Sequence, residues 1–90
     1  MKHITQTHKD FVKELIEDDY GVEKFEIEED SCIQDDFGID SLDKLELIMK
    51  IEKQFNFTIS DVDMEDINTM ADLYLHMDEA LEEKIKKYGL

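Results

Sequence analysis

The residues best placed to do chemistry are Asp40, Ser41 and Asp43, within Asp36-Phe37-Gly38-Ile39-Asp40-Ser41-Leu42-Asp43. Gly38 has no Cβ, so a loop can turn sharply there. Asp40 and Ser41 are both strong N-cap types, and Asp43 puts negative charge in the first turn of a helix. The run from Ser41 to about Gln54 contains no Gly or Pro and many good helix formers. A serine at such a helix mouth has its hydroxyl beside unpaired backbone N–H groups, a setting that suits a phosphate ester on its oxygen. The pattern is also met if Ser41 or Asp40 only caps the helix, the commoner use of these residue types, and spacing alone leaves both readings open.

Other chemistries lack their parts. There is no Gly-rich phosphate cradle, no His–Glu–His zinc spacing and no triad. Carboxylates abound, but none is marked as a general acid by apolar surroundings. A calcium loop starting at Asp35 would put Phe37 and Ile39 at ligand positions, and one starting at Asp61 has Asp66 where glycine belongs. Loose divalent binding to carboxylate clusters stays open. Cys32 is a lone cysteine without partners at ligand spacing, and His8 sits on an apolar stripe without a nucleophile. Both read as packing residues, and no metal site is expected.

The 90 residues make one domain, and a single cysteine permits no internal disulfide. Twenty-five Asp and Glu against ten Lys give a formal net charge of −15. That excludes a basic nucleic-acid face and favours basic protein partners met in fast, salt-sensitive encounters. A solvated acidic surface with no partner fits the charge as well. No apolar run reaches membrane-spanning length, and the amino terminus lacks an apolar signal core, so a cytoplasmic location is expected.

Helices must position Ser41. Ile4, His8, Phe11, Val12, Leu15 and Ile16 recur at helical spacing, so 4–18 read as an amphipathic helix that stops at Gly21. Residues 22–40 form a long connection in which Val22, Phe25, Ile27, Ile33, Phe37 and Ile39 are expected anchors, with a short helical turn around 31–35. Residues 63–67 can form another turn. Thr69 caps a last amphipathic helix, with Asp72 three residues on and a stripe of Met70, Leu73, Tyr74, Met77, Ala80, Leu81, Ile85 and Tyr88. The expected fold class is therefore all-α, a small three- to four-helix bundle with a long first loop.

The helix from Ser41 is apolar over too wide an arc. With Leu47 at zero and about 100° per residue, Ile51, Phe55 and Ile48 fall near 40°, 80° and 100°, and Leu45, Met49 and Leu42 near 160°, 200° and 220°. A surface helix needs a stripe of only about 100°. Leu42, Leu45 and Met49 are thus surplus to one core face. They form either an exposed strip for docking a protein or a second face packed within the domain. Lys44 falls inside the core arc, explained at this level only by splaying of the first turn.

With Asp40-Ser41-Leu42 at the head of an acidic helix, the chain resembles the acyl carrier proteins. The resemblance runs from about Gly21 to Met77. It is densest over Asp36-Phe37-Gly38-Ile39-Asp40-Ser41-Leu42-Asp43-Lys44-Leu45-Glu46-Leu47-Ile48-Met49, and continues through Ile51-Glu52 and Phe55. The run from Ile59-Ser60-Asp61 to Ile67-Asn68-Thr69-Met70 is similar to the family's third-helix region.

The resemblance implies a single acyl-carrier domain over 1–90 that catalyses nothing. Ser41 would carry a covalent 4′-phosphopantetheine, transferred from coenzyme A by a carrier protein synthase (a phosphopantetheinyl transferase) that binds magnesium. The Ser41 oxygen would attack the β-phosphate of the coenzyme, and the arm's thiol would hold acyl groups as thioesters. Asp40, Leu42, Asp43, Leu45, Glu46, Met49 and Glu52 map onto the docking surface for basic patches on ketosynthases, acyltransferases and other acyl-processing enzymes. Leu47, Ile51, Ile59, Ile67 and Met70 would line a cavity for the acyl chain in what is expected to be a monomer.

Phe37, Ile39 and Ser60 stand where the family usually has leucine, a small residue and proline. Lys44, Lys50 and Lys53 add positive charge to a helix more uniformly acidic in the common fatty-acid carriers. The resemblance implies fatty-acid synthesis or a related pathway. The departures bear on the partner set, not on the phosphopantetheine, and leave a specialised polyketide-like or polyene pathway open. The other readings are an aminoacyl or peptidyl carrier, a carrier-like interaction subunit, and a plain acidic adaptor in which Ser41 is only a cap.

Overall fold

Each long helix begins after a residue whose side chain can occupy first-turn N–H groups and ends where the backbone turns left-handed. The computed structural model describes residues 2–89. α1 (Gln6–Tyr20) starts after Thr5 and ends at Gly21, which has φ 72°. Thr5 is the N-cap, so Ile4 precedes the helix and the predicted 4–18 is displaced by two residues. His8 is the third helical residue, and its Nδ1 accepts the Thr5 N–H at 2.9 Å. Burial pushes the His8 pKa below its ordinary value, which keeps that nitrogen available as an acceptor.

The long connection carries a 3-10 turn (Lys24–Glu26) and α2 (Ile33–Phe37). Ile27, Ile33, Phe37 and Ile39 are buried as predicted anchors, and Val22 is half-buried. Phe25 is not an anchor: it lies on the 3-10 turn and is 80% exposed. α3 spans Ser41–Phe55, α4 Asp61–Glu65 and α5 Met70–Tyr88. α4 starts two residues earlier than predicted, because Ser60 Oγ accepts the Asp63 N–H at 3.2 Å. That places Val62 on its outer face, exposed. The result is three long helices with two short ones and no strand among the described residues.

Contacts at the helix ends set the directions. The end of α1 meets the start of α3, where Tyr20 Oη donates to the Asp43 carbonyl at 3.2 Å. The start of α1 meets the end of α3, where the His8 and Phe11 rings sit edge-on to Phe55 at 4.7 and 5.2 Å. The two helices are therefore antiparallel. α5 runs parallel to α3: Lys44 Nζ donates to the Ile67 carbonyl just before α5, and Lys84 Nζ donates to the Phe55 carbonyl at its far end. The long loop is tied to the head of α5 by Met70 N–H to Ser31 O and Ala71 N–H to Glu29 O, at 3.1 and 2.8 Å. Val12, Ile16, Leu47, Ile48, Ile51 and Leu73 are among the fully buried side chains between the helices.

Candidate functional site

Two residues compete to cap α3, and the geometry separates them. Asp40 is the N-cap: its backbone is extended, and its Oδ1 accepts the Asp43 N–H at 2.8 Å. Ser41 is the first helical residue and is exposed. Its Oγ meets Gln34 Nε2 at 3.4 Å and is not used in the cap. Gly38, with φ 67°, ends α2 in a left-handed conformation and lets the chain reach Asp40 in two residues. The capping alternative therefore falls to Asp40. Ser41 presents an exposed hydroxyl, touched only by the Gln34 side chain among the described residues, at the positive end of a fifteen-residue helix, where a phosphodiester on that oxygen would be well placed.

The surplus strip is exposed. Leu42 is 73%, Met49 54% and Leu45 40% accessible, so α3 is not packed on two sides. Asp40 and Glu46 are exposed beside the strip and Asp43 is half-buried. Among the described residues none of these three carboxylates has an ion-pair partner. Glu52, also half-buried, helps hold the fold as well: its Oε2 accepts the Ile59 N–H at 2.7 Å and fastens the loop after α3.

Two of the three lysines on this helix are turned away from the acidic strip. Lys50 is tied to Asp19 at 2.6 Å, a hydrogen bond that raises its pKa. Lys44 is only 9% exposed and donates to the Ile67 carbonyl at 2.9 Å. Its place in the core arc thus reflects a buried strut across to the head of α5, not splaying of the first turn. Tyr20 closes the edge of the site, its pKa raised by burial and then by the Asp43 carboxylate.

Leu47, Ile51, Ile59, Ile67 and Met70 are all buried in the common core, on both sides of the seam between α3 and the α4–α5 junction. A cleft of about 560 Å³ lies elsewhere, between Asn56–Thr58 and the second half of α5, and none of those five residues lines it. No helix is long and apolar enough to cross a membrane among the described residues. Sequence reasoning missed Gln34, whose contact with Ser41 joins two elements across a glycine turn. It also missed the partner of Lys44, although a lysine inside an apolar arc was itself the signal.

The exposed serine heads a helix whose acidic strip has no ion-pair partner among the described residues, and comparison with known proteins adds what geometry alone does not give. The family model described as the phosphopantetheine attachment site matches residues 10–77. The acyl carrier protein of Chlamydia caviae is 41% identical over 69 residues, covering 77% of this chain and 90% of that relative. The chain belongs to the acyl carrier protein family. It is a carrier and not an enzyme, and its cofactor is covalent 4′-phosphopantetheine. Members of the family work by meeting a phosphopantetheinyl transferase and acyl-processing enzymes.

Proposed function

We propose that Ser41 is the attachment residue, and that the carrier delivers acyl groups to fatty-acid synthesis or to a related polyketide-like or polyene pathway. The observation that carries this reading is the division of labour at the head of α3: Asp40 takes the cap and leaves the Ser41 hydroxyl exposed and uncommitted to the helix. In modification, the Ser41 Oγ–phosphorus bond forms and the pyrophosphate bond of coenzyme A breaks. Adenosine 3′,5′-bisphosphate leaves, and a base of the transferase takes the serine proton. The bound arm supplies a terminal thiol that holds acyl groups as thioesters. Tethering raises the concentration of the carried group at each enzyme the protein meets.

Asp40, Asp43 and Glu46, with Glu52 at the far end, would steer basic patches toward the helix, while Leu42, Leu45 and Met49 add a small, reversible apolar contact. The withdrawal of Lys44 and Lys50 favours this assignment, since it leaves the strip acidic. A carried chain long enough to seek shelter would lodge among Leu47, Ile51, Ile59, Ile67 and Met70, which requires the seam between α3 and α5 to open. The carrier acts as a monomer in the cytoplasm. The partners are ketosynthases, acyltransferases and similar enzymes rather than nucleic acid or membrane, as the net charge of −15 favours.

The test is an intact mass after incubation with coenzyme A, magnesium and a carrier protein synthase, with Ser41→Ala alongside. The expected result is a gain of one phosphopantetheine in the wild type and none in the variant. An unchanged mass with several transferases, or a gain that survives Ser41→Ala, would overturn the assignment.

A further inference from the structure

Gln34 is the second residue of α2, and its Nε2 donates to Ser41 Oγ at 3.4 Å. Among the described residues it is the only side chain hydrogen-bonded to the serine. The contact crosses the left-handed turn at Gly38, and the glutamine is half-buried. Its mount is firm. Ile33, just before it, is fully buried, and Phe37 at the end of α2 is buried too. The Ile33 N–H donates to the Asn68 carbonyl at 2.9 Å, and Asp36 Oδ2 accepts the Cys32 N–H at 2.6 Å. α2 is thus fastened to the core and to the segment before α5, and it holds the Gln34 carboxamide at the corner where α3 begins.

An arm joined to Ser41 puts phosphorus directly on the oxygen that Gln34 already touches. The serine loses its proton, so every oxygen at the junction becomes an acceptor. The junction also gains a negative charge next to Asp40 and Asp43, neither of which has an ion-pair partner among the described residues. Two lysines of α3 are directed elsewhere, Lys44 to the Ile67 carbonyl and Lys50 to Asp19. The Gln34 carboxamide has two N–H donors and no charge of its own. It can donate to a phosphate oxygen, in a bond strengthened by the charge of the acceptor. We infer that Gln34 is a positioning residue for the prosthetic arm: its Nε2 hydrogen-bonds the phosphodiester on Ser41 and fixes the root of the arm against α2. This rests on Ser41 as the attachment point.

The test follows the nitrogen-15-labelled side-chain amide of Gln34 in the full chain, before and after modification with coenzyme A, magnesium and the transferase. Intact mass establishes loading. In the loaded protein one of the two Gln34 N–H protons moves downfield and exchanges with water on the order of tenfold more slowly, as a charge-assisted hydrogen bond predicts. The side-chain amide of Gln54, at the far end of α3, stays where it was. Gln34→Leu is loaded in the same way, and its phosphorus-31 resonance lies away from the wild-type position. A glutamine that only steadied the corner between α2 and α3 would lower melting of the unmodified protein and leave the phosphorus resonance unmoved.

An unchanged Gln34 amide on loading, or a phosphorus resonance that Gln34→Leu leaves in place, would overturn the inference. The amide measurement needs no variant, so it decides even if Gln34→Leu does not fold. No gain of mass in the wild type would instead overturn Ser41 as the attachment residue, and the inference with it.

Discussion

The heads of α3 and α5 begin with the same chemistry set one residue apart. At α5, Thr69 is the N-cap: its Oγ1 accepts the Asp72 N–H at 3.1 Å, and the Asp72 carboxylate accepts the N–H groups of Asn68 and Thr69. The hydroxyl there is consumed by the fold. At α3 an aspartate holds the cap position, and the hydroxyl one residue later is left over. A single step of register thus separates a structural hydroxyl from one open to modification. The surroundings follow suit. The head of α5 is tied to the long loop and buried at Met70, whereas the head of α3 opens onto exposed Leu42.

The largest expected break in this comparison is chemical. Ser41→Ala abolishes phosphopantetheine transfer, while Thr69→Ala leaves transfer intact, as intact masses would show. Next comes the acidic strip. The double substitution Asp43→Lys with Glu46→Lys lowers the transferase kcat/KM on the order of tenfold at low salt, and the loss shrinks as salt is raised. An unchanged rate would remove the docking role assigned to these carboxylates.

Smaller effects probe how each region is held. Tyr74 is buried, its hydroxyl has no hydrogen-bond partner among the described residues, and burial pushes its pKa up to about 12. Tyr74→Phe is therefore expected to raise stability by about 1 kcal/mol in urea unfolding, since it removes an unsatisfied buried group. A loss of stability would mean that the hydroxyl has a partner after all.

Acid should act through Asp78. Burial pushes its carboxyl up, but the N–H groups of Ile4, His3 and Lys2 outweigh that and hold it below its ordinary value. A depressed folded-state pKa contributes stability that is present above the unfolded value, about pH 4, and lost as pH falls through the folded value. Below about pH 4, Asp78→Asn should thus lose stability less steeply than the wild type. Parallel profiles would show that these hydrogen bonds carry no linkage.

Much of this contrast was legible in the sequence because capping is local. Thr69 and Asp72 lie three residues apart, as do Asp40 and Asp43, and the core stripe of α3 followed from its period. What stayed hidden depends on residues distant along the chain. The sequence could not choose between Asp40 and Ser41, because both are cap types and the choice is made by where the Gly38 turn delivers the chain. Lys44 finds Ile67 across 23 positions, and Lys50 finds Asp19 across 31. Phe25 looks like an anchor from its type, yet the short turn that carries it points it outward. The exposed strip on α3 was legible only as a surplus, since a periodic pattern counts apolar faces without saying what covers each one.

The measurement that bears most directly on the account is urea unfolding of Ser41→Ala beside Thr69→Ala. If the hydroxyl of α3 is left over and that of α5 is structural, Ser41→Ala stays within about 0.5 kcal/mol of the wild type. Thr69→Ala should lose about 1 kcal/mol. A loss in Ser41→Ala as large as that in Thr69→Ala would contradict the account, because Ser41 would then be part of the cap.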